Sequence, residues 1–173
     1  MTRTEKDKPE LTPEQELALM TKEVNASDGF DIDFSSFRCV FNYHPTVLHS
    51  DQFADDDSET TEDFLKMLAQ EALDVYNGRH VTEYELVKVV KANYHFACAI
   101  MFLITFQVKD PYDNMIKLFQ TRVRQGKHIT THYVFCRPKP NQGVKYIGIK
   151  KVVKRDIEQV VKSHVPKDVN KQK

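Results

Sequence analysis

Between Phe64 and Val108 the spacing of apolar residues changes from the helical period to the strand period, and few folds accommodate that change. Phe64, Leu68 and Ala72 recur every four residues, and Leu65, Ala69, Leu73 and Tyr76 fill the adjoining rows of an amphipathic helix. Thr60, with Asp63 three residues on, forms a loose capping box, and Asn77-Gly78 reads as a C-terminal stop. Further along, Phe102, Ile104, Phe106 and Val108 form an apolar face at period two, with Thr105, Gln107 and Lys109 pointing the other way. A helix laid across one face of an antiparallel sheet buries both stripes together. The sequence therefore predicts an α+β domain in which Phe102, Ile104 and Phe106 face Leu65, Leu68 and Ala72.

The neighbouring segments supply the other strands. Residues 85–94 read as one strand, with Val87 and Val89 on one side and Val90 and Ala92 on the other; residues 99–109 return beside it. Asp110-Pro111-Tyr112-Asp113-Asn114 is a turn, residues 115–124 the next strand, and Gln125-Gly126-Lys127 a second turn into residues 129–136. Upstream, residues 29–34 and 37–43 compete for the role of edge strand before the helix. The expected architecture is one long helix in the concave face of a curved sheet of four or five antiparallel strands. Residues 1–27 form a charged arm, reading equally as a short helix begun at Thr12-Pro13 or as a disordered segment. Residues 28–140 form the domain, and residues 141–173 a basic extension with a further strand at 145–149 and a C-terminal helix over 150–164.

Net charge is zero, but it is split. Residues 1–75 carry 6 Lys/Arg against 18 Asp/Glu, a net −12, and residues 76–173 carry 19 against 7, a net +12. Such a split predicts an acidic arm lying near a basic body, or a basic face for an acidic partner with that arm as competitor. Deleting residues 1–27 is then expected to raise affinity for polyanions. No stretch reaches the ~18–20 apolar residues of a membrane span, and the charged first residues show no secretory leader, so an intracellular, cytoplasmic protein is expected. Three cysteines, Cys39, Cys98 and Cys136, without spacing motifs fit free thiols in a reducing compartment.

Enzyme chemistry finds no foothold, and neither a cofactor nor a metal is expected. The five glycines make no phosphate-binding loop. Cys98 lies three residues from His95, which on a strand puts the two on opposite faces. His128 and His132 have helical metal spacing but sit on a strand, and Asp55-Asp56-Asp57 lacks the glycine turn and closing glutamate of a calcium loop. Nucleic acid is not the expected partner; that reading needs exposed aromatics such as Tyr133, Phe135 and Tyr146 among the basic residues.

Leu68-Ala-Gln-Glu-Ala-Leu-Asp-Val-Tyr-Asn77 resembles the plant cystatin helix signature Leu-Ala-Arg-Phe-Ala-Val-Asp-Glu-His-Asn, coinciding at Leu68, Ala69, Ala72, Asp74 and Asn77. Val90-Lys91-Ala92, Met101 and Ile104-Thr105 resemble the strands flanking the cystatin inhibitory loop, and Phe119-Gln-Thr-Arg-Val123 the next strand. The resemblance covers residues 62–140 and is nearest to cystatin-related plant proteins with degenerate inhibitory motifs. It implies a cystatin-like fold and binding to papain-like cysteine proteases, or to another protein, as a monomer or a domain-swapped dimer. The family wedges three segments into the protease cleft. The first is a Gln-Val-Val-Ala-Gly loop, whose positions here are His95, Phe96, Ala97, Cys98 and Ala99. The second is a Pro-Trp hairpin; this chain has no Trp, and Arg137, Pro138, Lys139 and Pro140 are the nearest counterpart. The third is a flexible glycine, for which Gly29 is the upstream candidate. If the loop needs a positive backbone angle at its last position, Ala99 there is strained. The resemblance thus implies a weakened or retargeted inhibitor, or a non-inhibitory interaction module on the same scaffold.

Overall fold

Thr60 starts the long helix as the capping signal predicts. In the computed structural model, which describes residues 11–126 and 129–140, its hydroxyl accepts the Asp63 N–H at 3.2 Å and donates to the Asp63 carboxylate at 2.7 Å. Elements are numbered in chain order: α1 is Pro13–Ser27, β1 Tyr43–Pro45, α2 Thr61–His80, β2 Glu85–Phe96, β3 Ile100–Lys109, β4 Ile116–Gly126 and β5 Ile129–Pro138. Acidic Glu62 and Asp63 sit at the positive end of α2, and Arg79 and His80 at its negative end. The helix runs past the expected stop at Asn77-Gly78. Asn77 instead ties the following segment back: its amide donates to the Tyr84 carbonyl at 2.9 Å, and its oxygen accepts from Thr82 Oγ1 and the Tyr84 N–H. The left-handed capping position falls on Val81 at φ 53°.

The five strands form one antiparallel sheet in sequential order β1-β2-β3-β4-β5, with α2 packed on one face. Phe102, Ile104, Phe106 and Val108 all face the helix side and are buried with Phe64, Leu65, Leu68, Ala69 and Leu73. Phe119 and Val123 of β4 extend that core, and Tyr76 and Tyr84 close it beside Phe119 at 5.1 and 5.0 Å between rings.

Strand β2 departs from simple alternation. Register shifts between Leu86 and Lys88 and between Val89 and Lys91 insert two irregularities. Each extra residue re-phases the side chains. Val89 and Ala92, expected on opposite sides, are therefore both buried in the core, while Val87 and Val90 are exposed. The edge strand is also corrected. It comprises Tyr43, His44 and Pro45, paired with His95, Tyr94 and Asn93, whereas residues 29–34 lead into a 3-10 turn at Phe34–Ser36.

The second face of the sheet is covered as well. Leu103 and Thr105, the alternates of the core row in β3, are buried. Phe30 lies on this side, buried, with its ring 6.0 Å from Phe135 of β5. The arm preceding it is helical over α1, with Thr12 and Gln15 exchanging reciprocal capping bonds of 2.9 and 3.3 Å. The expected 145–149 strand, the C-terminal helix and His128 lie outside the described residues.

Glu16 holds α1 to the segment that follows it. Its buried carboxylate accepts the Cys39 N–H at 2.8 Å, the Arg38 N–H at 3.0 Å and Arg38 Nε at 3.2 Å. The Cys39 backbone bond is the chief cause that lowers the Glu16 pKa from 4.5 to about 2, with burial opposing and Arg38 adding. A carboxylate whose folded pKa is depressed contributes stability above its unfolded value, and that stability is lost as pH falls through the folded value. A Glu16→Gln chain is thus expected to melt below wild type at pH 7, with the gap closing as pH falls from 4.5 to about 2. Thermal melts at stepped pH check this.

Candidate protein-binding end of the sheet

The hairpin between β2 and β3 brings the five expected first-loop residues together at one end of the sheet. Phe96 pairs with Ile100, and Ala97, Cys98 and Ala99 form a three-residue connection closed by the Ala97 N–H on the Ala99 carbonyl at 2.8 Å. Neither Ala97, Cys98 nor Ala99 takes a positive φ. The strain expected at Ala99 is therefore absent: this loop turns without the angle that a glycine would supply.

Side chains from a distant segment brace the hairpin. Asn42 behaves as an extra strand residue, donating from Nδ2 to the Phe96 carbonyl at 2.7 Å and accepting the Phe96 N–H at 3.0 Å. His44 stacks on Tyr94 at 5.1 Å and meets Phe96 edge-on at 5.9 Å. Tyr94 also meets Phe96 at 5.7 Å and Phe53 at 5.0 Å, both nearly perpendicular. Phe96 remains 54% exposed at the rim of this aromatic set. The set is continuous with the core, because Phe53 packs on Phe102 at 4.9 Å. An exposed aromatic ring held by packed neighbours is suited to binding, since little rotamer freedom is left to lose.

His95 lies on the other face of the hairpin, its ring 4.8 Å from Tyr43. Burial lowers its pKa, opposed by the backbone hydrogen bond with Phe96 and reinforced by Arg122. The imidazole is thus predominantly neutral at pH 7. Cys98 is an exposed thiol at the tip. Asp55-Asp56-Asp57 forms a tight turn, where Asp55 Oδ1 accepts from the Asp57 N–H and Ser58 Oγ. Among the described residues no three His, Cys, Asp or Glu side chains are grouped to hold a metal ion, and no helix is long and apolar enough to cross a membrane.

The other two expected segments do not join the hairpin. The register pairs Phe106 with Phe119 and Phe119 with Pro138, six residues along β3 from Ile100. Arg137, Pro138 and Lys139 therefore run at the opposite end, where the Lys139 N–H bonds the Leu118 carbonyl at 2.8 Å, and Pro140 follows. The end of β4 and the start of β5 do share the hairpin's end, since Ile100 pairs with Gln125 and Gly126 with Ile129. Gly29 is likewise not a loose segment. It is buried against the sheet, and a Cβ placed there would lie 2.7 Å from Tyr43 Cε1 and 2.9 Å from Leu103 Cδ1.

Sequence reasoning missed Asn42, His44 and Phe53. Nothing local marks them, because Asn42 reaches its partner Phe96 across 54 positions. Two aromatics considered for base stacking are otherwise engaged: the Tyr133 hydroxyl bonds Glu71 on α2, and Phe135 lies under the guanidinium groups of Arg137 and Arg122 at 4.6 and 5.3 Å. Tyr146 lies outside the described residues. Comparison with protein-family models and with curated proteins gives no match to this chain.

Proposed function

We propose that the chain is a cystatin-like protein that binds a protein partner through the β2–β3 hairpin, and that papain-like cysteine proteases are the first partner class to test. The observation that carries this is Phe96, an exposed ring on a braced hairpin at the end of a strand–helix–four-strand meander. That element order, with α2 packed on one face of the sheet, is what the helix signature leads one to expect of a cystatin. The end of β4 and the start of β5 lie at the same end of the sheet, since Gly126 pairs with Ile129, and this supports the reading.

Inhibition on this reading is weak. Gly29 and the residues from Arg137 to Lys139 lie away from the hairpin, and no Trp is present to dominate an interface. Micromolar inhibition of a papain-like enzyme is the expected outcome, about 8 kcal/mol of binding free energy. Phe96→Asp is expected to weaken it at least about 30-fold, the equivalent of an aromatic anchor's ~2 kcal/mol. Steady-state inhibition constants for the two proteins check this. Nanomolar inhibition lost in the variant would mean that the rewritten loop is a better wedge than its sequence implies.

A second reading has its own support. Gly29 is built into the sheet and Arg137, Pro138 and Lys139 lie at the far end, so two of the three family contacts are unavailable as they stand. This favours a non-inhibitory interaction module on the same scaffold. Absence of inhibition at every concentration, with the hairpin still binding another protein, is its expected result.

A further inference from the structure

At the hairpin end, one row of side chains crosses all five strands. The register aligns Tyr43 of β1 with His95 of β2, His95 with Met101 of β3, Met101 with Arg124 of β4, and Arg124 with His132 of β5. The row alternates with the core row of Tyr94, Phe102, Val123 and Tyr133, so it belongs to the face away from α2. Gly29 and Phe30 cover the row inside it, where Asn93, Leu103 and Phe135 lie. The outer row stays at the surface. His132 is exposed, and His95, Met101 and Arg124 are half-buried, as is Arg122 beside them.

This end of the sheet has no carboxylate of its own. Residues 86–109 and 114–139 contain no Asp or Glu. Counter-charge reaches the sheet from other segments, and mainly elsewhere: Asp28 meets Arg137 at 2.6 Å, Asp31 meets Lys91 and Lys139, and Asp110 and Asp113 meet Lys117. At the hairpin end Arg122 donates to the Asp28 carbonyl at 3.2 Å, a neutral acceptor. Among the described residues no carboxylate lies within ion-pair distance of Arg124, and its buried Nε has no hydrogen-bond partner. The uncompensated charge is already felt nearby. Burial lowers the His95 pKa, the Phe96 backbone bond opposes this, and Arg122 lowers it further.

We propose that this row is the second contact surface of the hairpin end and takes carboxylates of the bound protein. The partner is then a protein whose cleft has an apolar wall for Phe96 and an acidic wall for Arg124, Arg122 and His132. The two faces of β2 are the reason. Tyr94 and Phe96 lie on one face and His95 on the other, so a hairpin entering a cleft offers aromatic surface to one wall and hydrogen-bond donors to the other. Charge complementarity of this kind steers encounter and fixes orientation. The proposal rests on the hairpin reading for the partner, whereas the charge of the row is a property of the sheet itself.

The test uses the full chain and a fluorescent oligo-aspartate peptide as the probe for the acidic wall. Arg124→Glu is expected to weaken peptide binding at least about 10-fold at low salt, a gap that narrows in about 0.3 M salt. Lys88→Glu makes the same charge change at an exposed site toward the far end of β2, and should weaken binding less than about 2-fold. Where Arg124→Glu does not melt cooperatively, His132→Glu at the exposed end of the row replaces it, with a loss of at least about 5-fold expected. Equal losses in Lys88→Glu and the row variants would overturn the proposal, since binding would then follow net charge alone. So would tighter binding of a single-stranded oligonucleotide of equal charge with the same dependence on Arg124, which would make the row a nucleic-acid surface. Arg124-dependent peptide binding in a chain that binds no papain-like protease would support the row and remove only the protease as its partner.

Discussion

Replacing Phe102 with alanine is expected to destabilise the protein by about 3–5 kcal/mol. Phe102 is 1% exposed and sits where α2, the meander and the segment before α2 meet. Its ring contacts Phe53 at 4.9 Å and Phe64 at 5.7 Å, both close to edge-on, and Tyr94 at 6.4 Å. Each such pair is worth roughly 0.5–1.5 kcal/mol beyond the area it buries. Three elements would have to move together to close the cavity, so little of it can collapse. A domain of this size has only about 5–15 kcal/mol in total, and the loss should show as a lower urea midpoint with an unchanged slope. Phe96→Ala is the matched control, since that ring is 54% exposed; its cost should stay below about 1 kcal/mol. A Phe102→Ala loss under about 0.5 kcal/mol would mean that this face is not the core.

Gly29→Ala is expected to cost about 2–4 kcal/mol, although it adds a single methyl group. Two effects add. Gly29 has φ +81°, an angle at which a side chain strains the backbone by about 1–3 kcal/mol. The new Cβ would also lie 2.7 Å from a Tyr43 ring carbon and 2.9 Å from Leu103 Cδ1. Tyr43 belongs to the paired edge strand and Leu103 to the buried centre of β3, so neither can yield without disturbing the sheet; overpacking adds roughly 1–3 kcal/mol. The loss should appear in equilibrium unfolding and as faster amide exchange at Phe30 and Asp31. Gly78→Ala is the opposite case. Nothing lies within 4 Å of a Cβ at that helical position, and a gain of about 0.5–1 kcal/mol is expected from helix propensity.

The core was readable because its signal is local. Phe102, Ile104, Phe106 and Val108 alternate without interruption, and the stripe from Phe64 to Leu73 meets them in space as its period implies. Where alternation is broken by register shifts, as between Leu86 and Lys91, counting by two fails, and Val89 and Ala92 were assigned to opposite faces. The helix end was missed for a similar reason. Asn77-Gly78 carries a stop signal, but the Asn77 side chain is committed to Thr82 and Tyr84, and the chain turns at Val81 instead. The hairpin residues were found together because they are contiguous. Gly29 and the residues from Arg137 to Lys139 were misplaced because their positions depend on register and on contacts across 60 to 109 positions, such as Asp31 with Lys91 and Asp28 with Arg137. The acidic and basic halves do meet, as the charge split suggests, but at these particular side chains.

The most direct test of the binding end is amide hydrogen exchange on the full chain, alone and saturated with a papain-like protease whose catalytic cysteine has been alkylated. The account predicts added protection at Asn42, Tyr43 and His44 and from Phe96 to Ile100, with none at Arg137 or Lys139. Protection at Arg137 and Lys139, with the hairpin unchanged, would contradict it.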